Sequence, residues 1–109
     1  METSELVGKV VLVGISFYDK KRTFLEDYQT HGTIDKIVDG LMILSRPQGK
    51  FQLPYEGCEL QKAKEGRYTE KSTGVLIENP DYLGSLHIMV RDVGEIAHCK
   101  TVGYQPKKE

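Results

Sequence analysis

The chain has 109 residues, 39% hydrophobic and 28% charged, an ordinary globular balance that excludes a disordered chain. Fifteen basic against sixteen acidic side chains give a formal net charge of -1. That balance argues against a domain devoted to polyanions, which usually carries a basic excess, and one domain is expected at this length.

The most apolar early run, Val10-Val11-Leu12-Val13-Gly14-Ile15, falls short of the roughly 20 residues a membrane helix needs. Glu2 and Glu5 spoil the positive n-region of a signal peptide. The expected location is the cytoplasm, with no membrane partner. Cys58 and Cys99 match no metal or redox spacing and are expected as free thiols there.

From Lys9, the residues Val11, Val13, Ile15 and Phe17 form a period-2 face, predicting a long strand. Val10 and Leu12 make the other face apolar at first, before Gly14, Ser16 and Tyr18 open it. This suits a strand buried on both sides early and on one side later, with a bend expected at Gly14. Asp19-Lys20-Lys21-Arg22 is a polar turn, and Thr23 to Thr30 returns with Phe24 and Tyr28 expected on one face. His31-Gly32 predicts a second kink.

The stretch His31 to Pro54 reads as a β-meander. Asp39-Gly40 stands between Thr33–Val38 and Leu41–Leu44, and a two-residue type I′ turn needs φ > 0 at both central positions. Arg46-Pro47-Gln48-Gly49 supplies the next turn, because proline presets φ and glycine accepts the left-handed region. Lys50 to Leu53 alternates as a further strand, which Pro54 ends.

Beyond Pro54 the pattern is weaker. Leu60, Ala63 and Lys64 fit a turn of helix or an irregular crossing strand. Gly66–Lys71 and Val75–Ile77 predict an additional hairpin in the C-terminal half, about Ser72-Thr73-Gly74. Asn79-Pro80-Asp81-Tyr82 is turn chemistry, and Ser85 to Arg91 is the last strand. Ile96 and Ala97 are expected to pair briefly, and residues 105–109 to form a frayed tail. Two long kinked strands followed by short hairpin-linked ones predict an all-β domain. The expected architecture is a small, strongly bent antiparallel barrel of SH3-like or Sm-like type.

The order LVGISFYDKKRTFLEDYQTHGTI, then DG and FQLP, then STGVLIENPDYLGSLHI resembles a family of small bacterial proteins of unknown function. The likeness runs from about Leu6 to Ile88 and implies a small soluble β protein with no activity attached. Gly32-Thr33-Ile34 and Asp39 to Leu44 also resemble the first motif of Sm-like RNA-binding proteins. Leu41 and Met42 stand where that motif has its asparagine, and Leu53-Pro54-Tyr55 lacks the isoleucine-arginine-glycine of the second motif.

No Gly-rich phosphate loop, nucleophile elbow or HExxH helix occurs, so no catalytic residue and no cofactor are assigned. His98 and Cys99 are adjacent, and on a strand they would face apart. No spacing rule supports Cys58 as a nucleophile paired with a histidine. Glu26 and Asp27 are neighbours too, without the convergence that general acid–base chemistry requires. The candidate binding residues are the basic turn Lys20, Lys21 and Arg22, with Arg67 and Tyr68 in a second group. Glu56, Glu59, Glu65 and Glu70 interrupt that second group. Solvated loops and a charge-protected sheet edge are the favoured explanation of these groups, and nucleic-acid binding is the disfavoured one.

The expected function is a non-enzymatic binding or interaction module, for a protein partner or for self-association through an apolar patch or a free strand edge. The alternative is an Sm-like or SH3-like nucleic-acid binder.

Overall fold

The computed structural model describes residues 3–104; the expected tail at 105–109 lies outside them. After a short 3₁₀ turn at Thr3–Glu5, eight strands and one helix follow. The strands are β1 (Val10–Tyr18), β2 (Phe24–Val38), β3 (Leu41–Arg46), β4 (Gly49–Pro54), β5 (Glu59–Lys62), β6 (Arg67–Thr69), β7 (Leu76–Glu78) and β8 (Tyr82–Met89). The helix α1 spans Val93–Val102.

The meander forms as its turns dictate. Asp39 and Gly40 both hold positive φ, 52° and 74°, linking β2 to β3 in the two-residue type I′ geometry. Pro47-Gln48 joins β3 to β4, with Gly49 at φ 121°. In β1, Val11, Leu12 and Val13 are all buried, and alternation follows with Ile15 and Phe17 inside. The early part is thus covered on both faces, as its sequence requires.

Six strands form one sheet in the order β4-β3-β2-β1-β8-β5, and β6-β7 is the separate hairpin expected in the C-terminal half. One face of the six-stranded sheet carries Val13, Ile15, Phe17, Leu44, Phe51 and Leu86, with Leu6, Ile96 and Cys99 packed into the same core. The β6-β7 hairpin lies against the opposite face. Glu70 reaches His31, Lys71 N–H donates to Gln29 Oε1, and Ser72 Oγ donates to the Gln29 carbonyl.

Several expectations are corrected. The sheet does not close into a barrel: β4 and β5 end it, with no ladder between them among the described residues. Nor is it wholly antiparallel, because β8 returns through a crossover and runs parallel to β1. Of the two readings at Leu60, the strand holds: it belongs to β5, which pairs with β8. Gly14 and Gly32 sit inside unbroken β1-β2 pairing, with no bulge at either. A Cβ at Gly32 would stand 2.8 Å from the Ser45 carbonyl oxygen, so this glycine serves close strand approach, and the irregularity in the β2-β3 pairing falls at Asp35 instead. Phe24 and Tyr28 lie on opposite faces, because a bulge at Leu25 shifts the register between Phe17 and Tyr18. Ile96 and Ala97 are helical, not paired.

Candidate functional site

The unclosed sheet leaves a seam. On one side β8 runs along it, on the other stand Pro54 and Gly57, and α1 forms the floor through Glu95, His98 and Cys99. The resulting cavity is about 800 Å³ and is lined mainly by apolar groups, Leu86, Ile88, Val90 and Tyr104 among them.

The wall formed by β8 is an uncovered strand edge. β5 pairs with β8 only from Tyr82 to Ser85, leaving Leu86 to Met89 without a neighbour on that side. Val90 N–H donates to the Tyr18 carbonyl at 2.8 Å, so Val90 and Ile88 turn their backbone groups toward β1. Amides of successive strand residues point to opposite sides. His87 and Met89 therefore present N–H and C=O to the seam, and among the described residues these groups have no hydrogen-bond partner. The other long edge is interrupted at its middle. Gln52 of β4 forms a parallel bridge with Gly103, and its carbonyl accepts from Tyr104 N–H at 2.7 Å.

The α1 floor is fixed at both ends. Asp92 caps its start, Oδ1 accepting from Glu95 N–H at 3.2 Å, and Gly103 closes its end at φ 94°. A Cβ at Gly103 would fall 2.1 Å from the Gln52 oxygen, so only glycine lets the chain leave the helix against β4. Arg46 then ties the last turn to the sheet. Its side chain is buried, its guanidinium donates to the Thr101 carbonyl at 3.0 Å and to Thr30 Oγ1 at 2.9 Å, and it sits 4.1 Å above the Phe51 ring. A cation at a helix C-terminus is favoured by the macrodipole. Lys100 adds an ion pair with Glu26.

The charges along the seam are modest. Arg91 donates to Glu95 at 2.5 Å, which holds the Glu95 carboxyl below its ordinary pKa. Cys99 lines the seam and Cys58 lies buried nearby; both are free, and burial pushes each thiol up to about 11. Neither is activated as a nucleophile. Among the described residues, no three of His, Cys, Asp and Glu gather as a metal site. On α1, His98 is exposed while Cys99 faces the core.

The residues singled out in the sequence fall elsewhere. Lys20, Lys21 and Arg22 form the β1-β2 turn, all exposed, with Arg22 at φ 66°. Asp19 Oδ1 shapes that turn by accepting from Lys21 and Thr23 N–H. Arg67 and Tyr68 lie on the β6-β7 hairpin, where Arg67 pairs with Glu78 at 3.3 Å and Tyr68 OH donates to the Lys64 carbonyl. That hairpin touches β2 at Gln29 and His31, five to seven residues beyond Phe24, or roughly 20 Å along the strand. The two basic groups thus form no single surface. Sequence inspection missed both the seam and the cluster formed by Tyr18, Phe24 and His87.

No protein-family model, no curated protein and no solved structure matches this chain.

Proposed function

We propose that the protein is a non-enzymatic interaction module that takes an extended segment of a partner protein by strand addition along β8. The observation that carries this is the pair of outward-facing backbone positions, His87 and Met89, at the point where β5 stops. An exposed edge of this kind is a template for another chain, and proteins ordinarily blunt it with charge, proline, bulges or cover. Here the β4 edge is bridged at Gln52 and β5 is short and polar, while Leu86 to Met89 stays open beside an apolar cavity.

Main-chain hydrogen bonds to His87 and Met89 would give affinity, and alternate side chains of the incoming strand would enter the seam against Leu86, Ile88 and Tyr104. The preferred ligand is therefore an extended segment of about five residues, apolar at alternate positions.

The test is selection from a random heptapeptide library, followed by titration of enriched peptides against the wild type and Met89→Pro. Proline removes the edge N–H of residue 89 without touching the β1 ladder, so the variant should fold yet bind at least tenfold more weakly. Absence of any alternating enriched motif, or equal binding by a folded Met89→Pro, would contradict strand addition.

A further inference from the structure

The open end of the β1-β2 hairpin carries a second surface, which meets the seam at His87 and Met89. Tyr18 packs edge-on against Phe24, with ring centroids 5.8 Å apart, and tilts against His87 at 5.2 Å. Phe24 is 52% exposed and Met89, paired with Tyr18 across the parallel ladder, is 57% exposed. The bulge at Leu25 brings this about, turning Phe24 outward where simple alternation would have buried it. Immediately beyond the aromatic group stand Lys20, Lys21 and Arg22, with no carboxylate paired to them among the described residues.

Of the nearby acids only Glu26 is paired with a cation, while Asp19 and Asp27 keep their negative charge on hydrogen bonds from neutral donors. Asp19 accepts two backbone N–H groups of the turn, Asp27 accepts from Ser16 Oγ at 2.8 Å, and Glu26 pairs with Lys100. Three unpaired cations flanking an exposed aromatic face call for a ligand that is anionic along its length and planar at intervals. We infer that this end of the hairpin is a platform for single-stranded nucleic acid, with Phe24 and Tyr18 stacking on bases and Lys20, Lys21 and Arg22 meeting phosphates. A flexible strand suits it better than a duplex, since stacking on Phe24 needs unpaired bases. The overall charge of -1 limits the electrostatic term to this one turn.

Fluorescence anisotropy with labelled 15-residue oligo-uridine and oligo-thymidine, across a tenfold range of salt, tests this. Three phosphate contacts on a single strand predict a slope of log K against log salt of about -2, or roughly a hundredfold loss over the range. The Lys20, Lys21, Arg22 triple-alanine variant should flatten that slope. Phe24→Ala should keep the slope and weaken binding by about tenfold. Both substitutions are at exposed positions, and unchanged thermal melts would confirm intact folding. No binding at the lowest salt would overturn the inference, as would equal binding by Phe24→Ala. Equal binding of a 15-residue poly-glutamate probe would overturn it too, since charge alone would then suffice.

Discussion

The buried guanidinium of Arg46 donates to the Thr101 carbonyl at 3.0 Å, joining the end of β3 to the end of α1 across 55 residues of chain. Among the described residues no carboxylate pairs with it; helix carbonyls, Thr30 Oγ1, the Tyr28 hydroxyl and the Phe51 ring surround it. Removing the group would leave the buried Thr30 Oγ1 and the part-buried Lys100 and Thr101 carbonyls without this donor. Arg46→Met should cost about 2–4 kcal/mol, from hydrogen bonds to a charged group and their unsatisfied partners. Chemical denaturation measures the loss. Amide exchange should show α1 opening before the sheet, because the lock acts on the helix.

Gly103 makes the same attachment from the other side. Gly103→Ala places a Cβ against the Gln52 backbone and forces a non-glycine residue to φ 94°. It should destabilise the protein and expose Cys99, read as faster alkylation by a thiol reagent. A variant with wild-type stability and alkylation rate would remove this account of the helix end.

Gly40→Val tests the meander. A β-branched residue at φ 74° is strained, with a cost of about 1–2 kcal/mol. Thermal unfolding should shift downward accordingly, and an unchanged midpoint would contradict the turn assignment.

The two cysteines make a prediction about pH. Burial raises each thiol from its ordinary 9.0 to about 11. A raised folded-state pKa stabilises the protein fully below the unfolded value and loses that contribution as pH climbs through the folded one. Stability should therefore decline between about pH 9 and 11 by more in the wild type than in Cys58→Ala/Cys99→Ala. Denaturant midpoints of both proteins at pH 8, 9, 10 and 11 measure the difference.

Much of the sheet was legible in the residues. Asp39-Gly40 and Pro47 to Gly49 fixed two turns, and Val11 to Phe17 declared its buried face. The helix was harder to see: only Ile96 and Cys99 of α1 are buried, too few for a clear helical stripe. Its signal was local, Asp92 followed three residues later by Glu95 and closed by Gly103. The outward turn of Phe24 was not legible, because a one-residue bulge reverses sidedness without a marker in composition. The open edge was hidden for another reason. It depends on β8 running parallel to β1 and on β5 starting only at Glu59, opposite Ser85, both set by tertiary pairing.

That open edge is the central claim, and amide hydrogen exchange at residues 87 to 90 tests it most directly. Ile88 and Val90 turn toward β1 and should be protected, whereas His87 and Met89 should exchange at nearly the rate of an unstructured chain. Addition of a peptide selected for binding should slow His87 and Met89 and leave Ile88 and Val90 unchanged. Equal protection of all four amides in the free protein, or no slowing at His87 and Met89 when the peptide binds, would contradict strand addition along β8.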